Sequence, residues 1–68
     1  MKIGDKYKVL DFDCGKKAIS KLNTMNIHKD SILEIIAIQP HGPYTIKVNK
    51  SEYTIGRGLF DKIKCEMI

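Results

Sequence analysis

Arginine is almost missing from this chain of 68 residues. Eleven of its twelve basic side chains are lysine, and Arg57 is the exception. Arginine is the usual reader of guanine and the usual clamp for phosphate, because its planar fork makes two parallel hydrogen bonds. Its scarcity weighs against sequence-specific nucleic-acid binding.

Long apolar runs are also missing, and so is room for a second domain. The longest run, Ile35 to Ile38, has the length of a strand, far short of the ~18 apolar residues that a membrane span needs. A chain of this size supports one core, so residues 1–68 are expected to form a single domain. A deep internal active site is hard to build in so small a domain.

Cysteine is limited to Cys14 and Cys65, far apart in the sequence. The first residues, Met1 to Asp5, turn polar at once and do not resemble a secretory segment. We therefore expect a cytoplasmic protein with two reduced thiols.

The composition that is present is that of a folded, basic domain. Apolar residues make up 43% of the chain and the net charge is +4. The apolar fraction is too high for a disordered chain. The charge is compatible with a nucleic acid, with an acidic protein surface, or simply with solubility.

The first half of the chain changes its hydrophobic period from two to that of a helix. Residues 5–12 alternate as a strand, bent near its end, with Tyr7 and Val9 on one side and Leu10 and Phe12 on the other. Residues 16–25 then place an apolar stripe on one helical face. That stripe consists of Ala18, Ile19, Leu22 and Met25, and the solvent side carries Lys16, Lys17 and Lys21.

Asn26 has the character of a helix stop. Asparagine tolerates the left-handed conformation that commonly follows a helix. With Asn26 as the first residue beyond the cap, Leu22 and Ile27 occupy the two positions that touch in a Schellman ending. A structural role is therefore sufficient to explain Asn26.

The second half predicts four more strands. They cover residues 31–39, 44–48, 52–55 and the terminal segment IKCEMI, in which Ile63, Cys65 and Met67 share one face. Five short strands leave edges that risk aggregation unless the sheet coils on itself. The predicted fold class is mostly β: a small SH3-like barrel of about five strands, with one helix inserted after the first strand.

The segment Gly56-Arg57-Gly58 raises the question of a phosphate loop. Such a loop aims several amides at one point at the start of a substantial helix. Here residues 59–62 leave room for barely one helical turn before the last strand. The glycines are interpreted as residues that end a strand and begin a short turn.

No metal or catalytic constellation is evident. Cys14, His28, His41 and Cys65 are the available soft or borderline ligands, and none has the spacing of a zinc motif. Cys65 alternates with core residues and fits a small buried hydrophobe. Asp11 and Asp13 could share a face, but no pocket for paired carboxylates is indicated. We expect no enzyme, no cofactor and no metal site within one chain.

The order of these segments resembles the FeoA family, the small cytoplasmic accessory proteins of bacterial ferrous-iron transport. The resemblance rests on IGDKYKVLDFD, KLNTMNIHKDSILEI, PHGPYTIKV and YTIGRGLFDKIKCEMI, which together span almost the whole chain. Gly4-Asp5 matches the entry to the first strand, and Asn26 stands where glycine is usual. Lys29-Asp30 replaces the Pro-Gly turn of the family.

The resemblance implies an interaction module whose partner is the cytosolic, GTPase-containing part of the FeoB ferrous-iron transporter. Candidate contact residues are Lys16, Lys17 and Lys21 on the helix and Tyr44 beside the loop of Pro40 and Pro43. The alternative is a basic SH3-like barrel that binds nucleic acid, although only Tyr44 is a fair candidate for stacking bases. Transition-metal binding and a homo-oligomer remain open.

Overall fold

A computed structural model describes all residues, 1–68, and contains five strands and two helices. Their order is β1 (Lys6–Phe12), α1 (Lys16–Thr24), β2 (Ile32–Ile38), β3 (Tyr44–Val48), β4 (Ser51–Ile55), α2 (Arg57–Phe60) and β5 (Ile63–Met67). The predicted mostly β, SH3-like fold with a helix after the first strand is confirmed. The turn expected between the fourth and fifth strands is the single-turn helix α2. Neither helix has the length and apolar character that crossing a bilayer requires.

The strands form one antiparallel sheet in the order β4-β3-β2-β1-β5. The sequence had suggested that coiling would remove most of the sheet edges. Instead β4 and β5 stand at opposite ends of the sheet and do not pair, so the barrel is open. Register shifts in β1, between Val9 and Asp11, and in β2, between Ile35 and Ala37, bend the sheet.

The bulge in β1 corrects the predicted faces of that strand. Leu10 and Phe12 were expected to lie on the same side, opposite Val9. The extra residue at the bulge changes this alternation. Val9 is fully buried, Phe12 packs against the same core, and Leu10 is 48% exposed. The predicted bend near the end of the strand is correct.

The core lies between the bent sheet and the two helices. Ten residues form it, all apolar: Val9, Leu22, Ile27, Leu33, Ile35, Ile46, Val48, Ile55, Phe60 and Ile63. Every strand and both helices contribute at least one of them, and no polar side chain is buried. Met67, predicted on the apolar face of β5, is 63% exposed because it lies at the end of that strand.

The helix α1 ends as the sequence predicts. Asn26 has φ 60°, in the left-handed region. The Asn26 amide donates to the Asn23 carbonyl and the Ile27 amide donates to the Leu22 carbonyl, both at 3.0 Å. These are the two bonds of a Schellman motif. Leu22 and Ile27 are both fully buried, so the stop also fixes two core side chains.

Substitution of Asn26 tests how much this conformation contributes to stability. Asn26→Gly is expected to be neutral or slightly stabilising, because glycine adopts positive φ without steric cost. Asn26→Val should cost about 1 kcal/mol or more of unfolding free energy, because a β-branched side chain is strained there. Thermal unfolding of the two variants measures the difference. Equal melting temperatures would contradict the importance of the left-handed residue.

A second left-handed residue explains the departure from the family pattern at Lys29-Asp30. The Ser31 amide donates to the His28 carbonyl at 3.1 Å, and Asp30 has φ 71°. This is the pattern of a type II turn, in which the third residue has positive φ. Lys29-Asp30 therefore closes the turn that Pro-Gly would close, with aspartate in the position that glycine fills at least cost.

Candidate partner-binding surface

The guanidinium of Arg57 joins the start of α2 to the loop between β2 and β3. Its Nε donates to the Gly42 carbonyl and its Nη2 to the Gln39 carbonyl, each at 2.6 Å. Its Nη1 donates to the Tyr44 hydroxyl at 3.2 Å, and the guanidinium carbon lies 4.7 Å from the centre of the Tyr44 ring. One arginine thus contacts two residues of the loop and the first residue of β3, by hydrogen bonds and by a cation–π contact.

The loop that Arg57 holds is a tight turn. The Gly42 amide donates to the Gln39 carbonyl at 3.1 Å, Pro40 occupies the second position, and His41 has φ 58°. This is again the pattern of a type II turn. A Cβ on Gly42 would lie 2.8 Å from Gln39 Oε1 and 3.0 Å from Gln39 Cβ. The close approach favours glycine at position 42, and the two carbonyls that Arg57 binds belong to the ends of this turn.

Tyr44, a predicted contact residue, is half-buried and packs inward. Its ring meets the ring of Phe60 edge-on, with centroids 5.1 Å apart. Phe60 in turn meets Tyr7 edge-on at 6.4 Å. Tyr44 therefore connects the loop to the core, while its hydroxyl lies at the surface beside Arg57. Its role in binding a partner stays a prediction.

Sequence reasoning missed the function of Arg57. It interpreted the residue as part of a break between a strand and a short turn, and the helix that follows, α2, has only four residues. The sequence offered only a compositional signal, two prolines in the loop, and nothing local pointed to Arg57, which is 13 to 18 positions away from its contacts. Proline has no N–H, so the loop must satisfy its backbone with other donors.

The predicted lysines of α1 lie on an exposed face. Lys16, Lys17 and Lys21 are exposed, and the helix contains no acidic residue. The two ion pairs of the structure are elsewhere, Lys8–Asp30 at 3.6 Å and Lys29–Asp11 at 3.7 Å. The helix thus presents three ammonium groups without an acidic partner. Such a face favours association with an acidic surface.

A shallow polar groove of about 400 Å³ lies over the outer face of the sheet. Its lining residues are Lys6, Asp30, Ser31, Ile32, Glu34, Lys47 and Asn49. Lys6, Glu34 and Lys47 are cross-strand neighbours on β1, β2 and β3. The lining balances two lysines with two carboxylates, and it contains neither a histidine nor a cysteine. Ser31 therefore has no histidine in this lining to act as a general base.

The shifted pKa values have local explanations. The Phe12 amide donates to the Asp11 carboxylate at 2.8 Å and, with nearby Lys29, holds the pKa of Asp11 below its ordinary value. Burial raises the pKa of the Cys65 thiol. Cys14 and Cys65 are free thiols. A raised thiol pKa disfavours the thiolate, which is the nucleophilic form of cysteine.

The residues that could ligate a metal are dispersed. No group of three or more histidine, cysteine, aspartate and glutamate side chains lies close enough to hold one ion. The His28 ring contacts Asn23 Oδ1 at 3.2 Å, and His41 lies in the loop that Arg57 holds. A monomeric binding site would therefore need to recruit ligands from separate parts of the surface.

We predict that one chain binds neither Fe(II) nor Zn(II) tightly, because the structure offers no preformed ligand set. Titration calorimetry under anaerobic conditions should show no stoichiometric heat at micromolar protein. Cys14→Ala and His28→Ala serve as controls for weak, adventitious ions. One tight ion per monomer, lost in either variant, would contradict the prediction.

Comparison with known proteins identifies relatives that extend over the whole chain. The model of the FeoA domain family matches residues 1–67. A crystal structure of an iron uptake regulatory protein (FeoA) superposes with a TM-score of 0.93 at 28% sequence identity, and the match covers 100% of this chain and 91% of that one. No curated protein sequence matches the chain.

Proposed function

The chain belongs to the FeoA family, and from this premise we propose that it binds the cytosolic, GTPase-containing part of a FeoB-type transporter without catalysing a reaction. Membership in the family makes it an accessory protein of ferrous-iron transport. The partner, the cytoplasmic location and the regulatory effect belong to the proposal. The observation that carries it is the match of the family model and of a solved FeoA structure over essentially all of the chain.

The surface of the domain supports binding rather than chemistry. Every strand and helix contributes at least one residue to the apolar core, whereas the lysines of α1 are exposed and take no part in it. We place the contact on this helix face and on the loop of residues 39–44. The helix supplies positive charge for encounter and orientation. The loop supplies a shape that Arg57 fixes before binding, which lowers the entropic cost of association.

The triple variant Lys16/Lys17/Lys21→Ala tests this assignment. Removing three charges at the rim of an interface should slow association with the purified cytosolic domain of the transporter about tenfold at low salt and flatten its salt dependence. Surface plasmon resonance at two salt concentrations measures both. Circular dichroism confirms that the variant remains folded, as expected for exposed side chains.

A matched control removes the same number of charges elsewhere. Lys47/Lys50/Lys62→Ala lowers the net charge equally but leaves α1 intact, and these three lysines are exposed. The proposal expects a smaller effect from this control than from the helix variant. Equal effects would mean that net charge alone matters, and an unchanged rate in the helix variant would remove α1 from the interface.

The nucleic-acid alternative finds no specific support. Stacking on bases needs exposed aromatic faces, whereas Tyr7 and Tyr44 each pack against Phe60. The single arginine is engaged by the loop. A salt-dependent mobility shift with RNA or DNA at micromolar protein, without binding to the transporter domain, would reverse this choice.

A further inference from the structure

The open edge of β5 carries unpaired backbone groups. β5 pairs with β1 alone. The Asp13 amide donates to the Lys62 carbonyl at 2.7 Å and the Ile68 amide donates to the Lys6 carbonyl at 3.0 Å. Backbone groups of successive residues in a strand point to opposite sides, so the even-numbered residues between these bonds also face β1. The amides and carbonyls of Ile63, Cys65 and Met67 therefore point away from the sheet.

The side chains of β5 form a pattern that is complementary to itself. Lys64 and Glu66 are exposed on the outer face, one on each side of Cys65. On the other face Ile63 is buried, Cys65 is half-buried and Met67 is 63% exposed. Reversal of this strand about Cys65 exchanges the lysine with the glutamate and the isoleucine with the methionine.

We propose that β5 pairs antiparallel with β5 of a second copy about a two-fold axis at Cys65. Lys64 then lies opposite the partner's Glu66, and Glu66 lies opposite the partner's Lys64. Ile63 lies opposite the partner's Met67, and the two Cys65 residues face each other. The outward amides and carbonyls meet in hydrogen-bonded pairs, and the two sheets become one continuous sheet.

The charges select this register. Centring the pair on Lys64 would place two lysines opposite each other, and centring it on Glu66 would place two glutamates opposite each other. Like charges directly opposite are destabilising in antiparallel pairs, whereas opposite charges are stabilising. Among registers centred on the three middle residues of β5, only the one at Cys65 places no like charges directly opposite each other.

The same pattern favours a second copy over an unrelated peptide. A strand that binds a different sequence has no need of internal two-fold complementarity. The edge has no proline and no inward-pointing charge, two of the devices that keep edge strands from pairing. The exposed Met67 gains an apolar neighbour in the paired state, because it lies beside the partner's Ile63. With five residues a side the contact is small, so we expect a weak dimer that forms at high concentration.

Charge variants and sedimentation equilibrium test the pairing. Lys64→Glu or Glu66→Lys alone turns both cross-strand pairs repulsive and should weaken the dimer about tenfold or more. The double variant Lys64→Glu/Glu66→Lys should restore it, and an equal mixture of the two single variants should form a heterodimer tighter than either homodimer. Melting temperatures control for monomer stability, since Lys64 also lies opposite Asp11 and Glu66 opposite Lys8. A monomer up to millimolar concentration, or a mixture no tighter than its components, would overturn the proposal.

Cross-linking provides a readout of the register itself. Facing residues in a hydrogen-bonded antiparallel pair have Cα atoms about 5.5 Å apart, within the range of a disulfide. In Cys14→Ser, diamide should oxidise the two Cys65 thiols to one intermolecular disulfide, accepting two electrons and two protons. The reaction is run at alkaline pH, because burial raises the pKa of this thiol. Cys65→Ser, which retains Cys14, should give no comparable dimer. Equal cross-linking by the two variants, or no cross-linking through Cys65, would overturn the register.

Discussion

Phe60→Ala is expected to lower the free energy of unfolding by about 3–5 kcal/mol, the usual range for removal of a buried aromatic ring. Phe60 is 6% exposed and meets the rings of Tyr7 and Tyr44 edge-on. The ring joins α2 to β1 and β3, so the cavity that its loss leaves is bordered by three elements. A domain of this size has a total stability of about 3–10 kcal/mol, so the variant should be largely or wholly unfolded at physiological temperature. Urea denaturation followed by circular dichroism measures the loss.

Phe60→Leu is the matched control. Leucine retains much of the buried volume but removes the edge-on contacts, which are worth about 0.5–1.5 kcal/mol beyond area burial. We expect it to cost well under half as much as alanine. If leucine and alanine were equally destabilising, the aromatic contacts rather than the filled volume would be decisive. If alanine cost less than about 1 kcal/mol, the position would not belong to the core.

Patterns of neighbouring residues in the sequence predicted the parts of the fold whose backbone conformation depends on those residues alone. The helix and its end followed from the spacing of apolar residues and from Asn26, because a left-handed residue and its two buried neighbours are adjacent in sequence. The strands of the second half followed in the same way from alternation. In these segments the information that fixes the structure is local.

Features that depend on contacts between distant segments could not be predicted from these local patterns. The bulge that exposes Leu10 arises from the register between β1 and β5, which are separated by most of the chain. The open edges depend on the strand order, which places β4 and β5 at opposite ends of the sheet. Apolar alternation fixes which residues face the core, but it does not determine whether two edges meet.

The candidate site shows the same division. Exposure of Lys16, Lys17 and Lys21 could be predicted, since the apolar stripe of the helix determines its opposite face. The inward packing of Tyr44 could be anticipated from alternation along β3. Its contact with Arg57 could not, because the two residues are 13 positions apart and belong to elements that share no periodic pattern.

Arg57→Ala is expected to destabilise the protein by roughly 2 kcal/mol, because it removes two short charge-assisted hydrogen bonds to the Gln39 and Gly42 carbonyls and the contact with the Tyr44 ring. The value is less than the sum of three separate interactions, since the residue is exposed and water can replace its donors. The larger consequence should be local. Amide hydrogen exchange of residues 39–44 should accelerate more than that of the core, because the turn loses its connection to α2.

Arg57→Lys and Tyr44→Phe separate the parts of this interaction. Lysine keeps the charge, but a single ammonium lacks the planar fork that reaches both carbonyls, so it should recover less than half of the lost stability. Tyr44→Phe keeps the ring and its contact with Phe60 and removes only the hydroxyl that Arg57 binds, so it should cost about 0.5–1 kcal/mol.

If the loop preorganised by Arg57 belongs to the interface, Arg57→Lys should also speed dissociation from the transporter domain, while association stays near the parent rate because the charge is retained. Full stability and unchanged exchange in Arg57→Lys would show that charge alone holds the loop, and unchanged dissociation would place the loop outside the interface.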